Sequence, residues 1–360
     1  MIVTNITSNG FRNLKGLELF PDSNMNVIFG NNAEGKTNLL EAIWLFCGAK
    51  SFRGAKDSEL VSFDSDFAVN TCHFISNQKE MDAKIIIEQR RRAELLGKKL
   101  SAPSKLAGNF YCLVFSPTDL NLINDGPSVR RRFLDTAIGQ IYPAYNDILR
   151  KYVKAVAQRN NALKTLREKM DVSDVLDGFE ELISSLAIKI VKYRLKYLSI
   201  LSEIVPEIYS GISSGKENLE VSYLSKIESG MDDKTLKKLY KESRREDMLT
   251  GGTSIGPHRD DLLLNLNEKA VKNFGSQGQK RSVALSLKLS EAKVLKKITG
   301  EYPVALLDDV MSELDTMRQD FILNHIKDWQ VFITCCDPAN IKGLENGKVF
   351  KMKNGRPEAF

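Results

Sequence analysis

The stretch GNNAEGKT, residues 30–37, decides how this chain folds. Before it runs MNVIFG, short and apolar like a buried strand. After it runs TNLLEAIWLFCGA, whose apolar Leu39, Leu40, Ile43, Trp44, Phe46 and Cys47 fall at helical spacing. A loop of the form G-x-x-x-x-G-K-[ST] between a strand and a helix is built for phosphate. Its glycines let the backbone N–H groups of Gly30, Asn31, Asn32, Ala33, Glu34 and Gly35 close around the anion. Lys36 reaches the β- and γ-phosphates as a point charge, and the Thr37 hydroxyl suits a magnesium ion. A chance glycine-rich turn would lack the flanking strand and helix.

A second stretch, PVALLDDVMSELD (residues 303–315), is an apolar strand ending in two carboxylates. Apolar on both faces, it reads as a central parallel strand. Asp308 at its end is placed to hold magnesium, and Asp309 to orient an attacking water as general base. Alone, the pair could equally cap the next helix. Beside a phosphate loop the catalytic reading is the stronger. The two stretches define a P-loop NTPase, and no guanine-reading N-K-x-D follows a late strand, so ATP is the expected nucleotide.

The bulk composition sets limits. With 360 residues, 42% apolar and 27% charged, the chain has room for one large or two ordinary domains. No run approaches the length of a transmembrane helix and no basic-then-apolar leader opens the sequence, so a cytoplasmic, membrane-free protein is expected. Five cysteines without C-x-x-C spacing predict buried thiols rather than disulfides or zinc.

Both ends alternate strands and helices. From about residue 129 to 210, apolar residues recur at three and four, as two long amphipathic helices folded into a hairpin around the polar REKMDVSDVLDG. Each arm would be about 30 residues, roughly 45 Å. The expected architecture is an α/β ATPase domain with an inserted helical lobe: residues 1–115 and 251–360 for the ATPase, 116–250 for the lobe.

NFGSQGQKRS, residues 273–282, is then puzzling. It is a loop feeding a helix, and such an end presents free N–H groups and a positive dipole to an anion. One active site has no need of it beyond Lys36, Thr37 and Asp308. It becomes useful if it closes over the nucleotide of a second copy, with Ser276 and the N–H of Gly278 touching the γ-phosphate in trans.

GSQGQ resembles the signature loop of ABC-type ATPases, here Ser276, Gln277, Gly278 and Gln279. SELD, with Ser312 and Asp315, is similar to their D-loop. LVFSPTDLNLINDGPSVRRRFLD (113–135), GPHRDDL (256–262) and FRN (11–13) extend the resemblance to the RecF family of bacterial repair proteins, over nearly the whole chain.

This resemblance implies an ABC-type, SMC-like head with a short lobe. It implies ATP and Mg2+ as cofactors, an ATP-dependent homodimer, and binding to DNA at single-/double-strand junctions or gaps. It further implies action with RecO- and RecR-like partners in loading RecA, links to replication forks and the SOS response, and slow hydrolysis. Asp309 stands where many ABC-type ATPases carry glutamate, one methylene longer. Arg12 is a candidate nucleotide contact. After VFIT, Cys335, Cys336 and Asp337 replace any switch histidine.

The basic runs Arg90, Arg91, Arg92 and Arg130, Arg131, Arg132 are candidate DNA contacts, with structural duty also expected of the second. For GPHRDD, a turn braced by an Arg–Asp pair and a role at the nucleotide or dimer interface stay open. A soluble ABC-type subunit of a transporter is the rival reading, and an SMC-type or nuclease-linked ATPase a more distant one.

Overall fold

The computed structural model describes residues 1–166, 173–337 and 347–359. The chain divides into two compact units, residues 1–120 with 281–360, and residues 121–280. The first unit opens with β1 (Ile2–Asn9) and β2 (Leu17–Leu19), an antiparallel pair. β3 (Met25–Phe29) then leads into the phosphate loop and α1 (Lys36–Trp44). β4 (Ala68–Ser76), β5 (Lys79–Ile87), β6 (Arg91–Leu95) and β7 (Lys98–Lys99) complete an antiparallel sheet in the order β2-β1-β4-β5-β6-β7. Every second residue of β4 is buried, which is the signature of a sheet with one face on the core and one on solvent. β8 (Cys112–Phe115) is buried throughout and belongs to a different sheet.

The second unit contains the helical lobe. After the short α2 (Asn121–Asn124) come α3 (Pro127–Ile141), α4 (Pro143–Leu166) and α5 (Ser173–Ser213). Two expected arms are therefore three helices. The break falls at Tyr142, whose backbone is extended (φ −121°, ψ 90°) because the ring of Pro143 excludes the helical conformation from the residue before it. Residues 167–172 of the polar tract between the arms lie outside the described residues. The arms are also unequal, with 24 residues in α4 and 41 in α5.

β9 (Leu219–Leu224) follows, then α6 (Asp233–Thr250), β10 (Asp261–Leu266), β11 (Lys269–Ala270) and the one-turn α7 (Val271–Phe274). Asp232 caps α6, accepting the Thr235 N–H at 2.8 Å, and Gly251 ends it in the left-handed region. β9, β10 and β11 form their own three-stranded sheet. This pairing is why residues 251–280 group with the lobe and not, as the sequence suggested, with the returning ATPase segment.

α8 (Gln277–Thr299) begins in the second unit and continues in the first. Its residues from Ser282 to Leu295 are almost all buried, and the polar ones among them include Lys288 and Glu291, paired at 2.7 Å. β12 (Val304–Asp308), α9 (Thr316–Ile326), β13 (Val331–Cys335), β14 (Gly347–Lys353) and β15 (Arg356–Ala359) complete the first unit. The second large sheet has the order β15-β14-β3-β13-β12-β8, all parallel except the edge strand β15. One apolar core runs from Val3, Ile6 and Phe74 of the antiparallel sheet, through Leu39, Ile43 and Phe46, to Ile28, Leu306 and Phe332 of the parallel sheet. The cysteines Cys47, Cys72, Cys112 and Cys335 are buried thiols, and Cys336 is exposed.

The lobe is held together by buried charge. Arg159 donates to Asp247 at 2.6 Å, to the Thr253 hydroxyl at 2.9 Å and to Glu180 at 3.0 Å, and the side chains of all three charged residues are fully buried. Removing the arginine would leave Asp247 without a cation in a low-dielectric interior and Glu180 with Arg244 alone. Arg159→Ala is expected to cost about 3–5 kcal/mol, read as a lower urea midpoint for the lobe.

Candidate functional site

The site is assembled at the C-terminal ends of three adjacent parallel strands. β3 supplies the phosphate loop, β12 supplies Asp308, and β13 lies between them. The register aligns Asp308 with Thr334 on β13. The Thr37 hydroxyl donates to Asp308 Oδ1 at 2.7 Å, and the Thr334 hydroxyl donates to the same oxygen at 3.0 Å. The Thr334 hydroxyl also accepts the backbone N–H of Asp309 at 3.0 Å. Thr334 thus holds both carboxylate-bearing residues at the strand end. Its only trace in the sequence is a polar residue closing an apolar strand.

Gly35 caps α1 with φ 100°, and a Cβ there would sit 2.7 Å from Asn13 Oδ1. Only glycine takes that backbone conformation beside that neighbour without strain. Lys36 turns its ammonium onto the loop's own carbonyls, donating to Gly30 O at 2.6 Å and Asn31 O at 2.9 Å. Asn13, which sequence reading missed, donates to Ala33 O at 2.7 Å and accepts from Asn38 at 2.8 Å. Glu34 faces the β14–β15 turn. Its carboxylate accepts the Asn354 N–H, and its carbonyl accepts the Gly355 N–H at 3.1 Å. Arg12 lies beside this loop but forms a two-point pair with Glu41 at 3.0 and 3.2 Å. Glu41 is fully buried, and Arg53 approaches it at 3.8 Å.

Thr37 and Asp308 present two hard oxygens side by side, a set that fits Mg2+, which characteristically takes one or two protein oxygens and completes its shell with water and phosphate. Among the described residues there is no cluster of three His, Cys, Asp or Glu side chains that could hold a metal by itself. Asp309 has φ 53°, an uncommon conformation for a residue with a Cβ. Ser312 pins it, donating to the Asp309 carbonyl at 2.8 Å with its hydroxyl 3.2 Å from the carboxylate. Asp315 caps α9, accepting the Arg318 N–H at 3.0 Å. Cys336 lies 3.5 Å from Asn32 at the end of β13. Burial pushes the neighbouring Cys335 thiol up to about 11.

The loop at residues 273–282 is a capping box. The Ser276 hydroxyl accepts the Gln279 N–H at 3.2 Å, while the Gln279 amide oxygen accepts the Ser276 N–H at 2.7 Å. Ser276 and Gln277 are exposed, as is Phe274 beside them. The Ser276 hydroxyl therefore keeps its own proton to donate outward. Gln279 is less free, since its amide N–H also donates to Glu217. Arg281 donates to the carbonyl of Glu313, in the turn that precedes α9, at 3.0 Å.

The basic runs are mostly structural. Arg130 is buried and pairs with both oxygens of Asp261 at 2.7 and 2.9 Å, and Arg131 donates to Asp260 O at 2.7 Å. Arg91 donates to Ala49 O at 2.7 Å and pairs with Asp57. The guanidiniums of Arg130 and Arg91 are spent inside the fold, which argues against them as DNA contacts, while Arg131 is half-buried. Arg90, Arg92 and Arg132 remain on the surface, Arg92 paired with Glu88.

GPHRDD is a clasp within the lobe. Arg194 donates to Asp135, Tyr223 and Pro257 O, and lies 3.7 Å from Asp260. The bracing arginines are thus Arg130 and Arg194, while Arg259 donates to Thr253 O. His258 contacts the Tyr152 hydroxyl at 2.6 Å and Thr253 O at 2.9 Å. Burial pulls its imidazole down to about 4.

Taken together, a phosphate loop, an acidic strand end beside it and a capped GSQGQ helix on this topology define an ABC-type P-loop ATPase. Residues 5–269 match the AAA domain family. The heads of SMC proteins share the fold: one from Pyrococcus furiosus superposes with a TM-score of 0.54 at 16% identity, covering 100% of this chain and 96% of its own. A RecF–ATP structure, described as a recombination mediator protein in the RecFOR pathway, superposes at 0.92 with 35% identity over 100% of this chain and 97% of its own. The DNA replication and repair protein RecF of Clostridium perfringens strain SM101 is 38% identical over 99% of each chain. That of Agathobacter rectalis is 37% identical over 100% of this chain and 99% of its own. The chain belongs to the RecF family.

Two outcomes follow from this geometry. Thr334→Val, which removes the buried hydroxyl bridging Asp308 and the Asp309 N–H, should cost about 1–3 kcal/mol in thermal or urea unfolding. For His258, the unfolded chain takes up its proton near 6.5 while the folded chain resists down to about 4. Stability should therefore fall as pH drops through that window, and His258→Gln should flatten the fall in urea midpoints measured across it.

Proposed function

We propose that this protein is an ATP-gated DNA-binding switch of recombinational repair and replication-fork maintenance. The observation that carries it is the Thr37 hydroxyl on the Asp308 carboxylate, 2.7 Å apart, at the end of a phosphate loop in a RecF-family chain. Residues 30–37 bind the ATP phosphates. Lys36 exchanges the carbonyls of Gly30 and Asn31 for β- and γ-phosphate oxygens. Thr37 and Asp308 hold Mg2+, which supplies charge neutralisation at the phosphates when bound. Asp309, fixed by Ser312, orients the attacking water, and its short side chain suits slow turnover.

A second copy completes the site. Ser276, with its hydroxyl proton free to donate, and the N–H groups at the start of α8 contact the γ-phosphate in trans, and Gln277, Gly278 and Gln279 shape that contact. Ser312 and Asp315 belong to the same dimer interface. ATP closes the dimer on DNA at single-/double-strand junctions or gaps, and slow hydrolysis reopens it. RecO- and RecR-like proteins are the expected partners in helping RecA load, in keeping with the RecFOR pathway of the related RecF–ATP structure. Full-length similarity to RecF proteins favours this reading over a transporter subunit. No helix among the described residues is long and apolar enough to cross a membrane.

Lys36→Ala should abolish ATP binding, removing the point charge that the phosphates require. Ser276→Arg should leave monomer ATP affinity within about twofold while blocking the ATP-induced dimer, as read by sizing chromatography and nucleotide titration. An unchanged dimer in Ser276→Arg would overturn the in-trans role.

A further inference from the structure

We infer that the solvent face of the α4–α5 hairpin is a docking surface for the phosphate backbone of duplex DNA. This rests on the DNA-binding reading above and assigns it a place. From residue 148 to 166 in α4, and from 182 to 202 in α5, the sequence contains no aspartate or glutamate. The same two stretches carry Arg150, Lys151, Lys154, Lys164, Lys189, Lys192 and Lys196, all exposed. Their remaining cations, Arg159 and Arg194, are the buried anchors of the lobe's ion pairs.

The helices run antiparallel, with Tyr145 level with Tyr193 (ring centroids 5.6 Å apart) and Arg159 level with Glu180 (3.0 Å). Lys189, Lys192 and Lys196 recur at three and four residues, so they line one face of α5. That face is opposite the one that buries Ala187, Val191 and Arg194. Lys151 and Lys154 are exposed on α4, Lys151 about level with residues 187–188 of α5 and Lys154 one turn further along the hairpin.

The contrast with α6 in the same unit is what makes this surface unusual. There Lys237, Lys238, Lys241 and Arg244 pair with Glu181, Glu242, Asp177 and Glu180. Lys151, Lys154, Lys189 and Lys192 pair with no carboxylate among the described residues. Uncompensated charge on a solvated helix face opposes folding by self-repulsion, so it calls for a polyanion. The three α5 lysines span about 10 Å, over which a duplex carries on the order of six phosphate charges.

Single strands are captured by exposed rings that stack on bases. Here Tyr142 and Tyr193 are half-buried and engaged with each other at 5.2 Å, and Lys196 covers the Tyr142 ring at 5.1 Å. Cations without a free stacking platform suit a duplex backbone read without regard to sequence.

The test compares the wild-type protein with Lys151→Gln/Lys154→Gln/Lys189→Gln/Lys192→Gln, each with ATP, binding a fluorescent duplex over a salt series. Glutamine keeps helix propensity, and circular dichroism together with ATP affinity checks that the variant is folded and loaded. The expected result is a drop in affinity on the order of 100-fold at moderate salt, with the log–log salt slope smaller by about 3 to 4. Lys237→Gln/Lys238→Gln on α6 should bind like the wild type.

Equal affinity and slope in the quadruple variant, with the wild type binding, would overturn this surface while leaving the DNA-binding reading intact. So would a loss confined to Arg90→Gln/Arg92→Gln, or a quadruple variant that loses only binding to phosphatidylserine vesicles. A wild-type protein that binds no duplex at low salt would overturn both readings.

Discussion

The hydrogen bond from Thr37 to Asp308 ties together two residues 271 positions apart in sequence. It can form only if β3, β13 and β12 lie side by side and parallel, in register, with their C-terminal ends at one edge of the sheet. Parallel strands need long crossover connections, and this chain places an entire helical unit inside one of them. The apolar core beneath the sheet and the fully buried Glu41 in α1 serve the same end, fixing α1 and the phosphate loop at its head. Thr334 is the least visible part of this arrangement, yet it couples the metal-binding candidate to the water-orienting candidate through one hydroxyl.

Both units bury apolar cores, and the lobe adds a denser set of buried ion pairs. The ATPase unit buries aliphatic and aromatic side chains between two sheets. The lobe relies heavily on buried ion pairs, with Arg159, Arg194 and Arg130 each matched to carboxylates supplied from distant positions. Such pairs are weak sources of net stability but specific in geometry, because a misaligned partner leaves a charge desolvated. A helical lobe held this way is keyed to one packing arrangement, which suits an element that must present a fixed surface.

Much of this was legible in the sequence, because the decisive features are local. Gly35, Lys36 and Thr37 declare the phosphate loop by spacing alone, and an apolar run ending in Asp308 declares its partner strand. The helical hairpin is visible as periodicity, but the apolar spacing runs on across its break at Tyr142, and only Pro143 marks it. The misassigned boundary near residue 250 has a different origin. β10 looks the same in sequence whether it pairs within the lobe or with the ATPase sheet, and only β9 settles the matter. Charge runs misled for a related reason. Arg130 and Arg91 sit in basic triplets, but their partners Asp261 and Asp57 are remote in sequence and became visible only on folding. The roles of Asn13 and Thr334 were not legible, since each acts through hydrogen bonds to residues remote in sequence.

The turn between β14 and β15 reaches back to the phosphate loop, where Gly355 donates to Glu34 O and lies so close to Asn13 that a Cβ would meet its carbonyl oxygen at 1.9 Å. Arg356 extends the contact to Lys15 O at 2.7 Å. The brace at Asn354 lies 320 positions from Glu34 of the phosphate loop. Synthesis of the chain therefore imposes an order on it: the loop waits, without this support, until a turn more than 300 residues further along has been made.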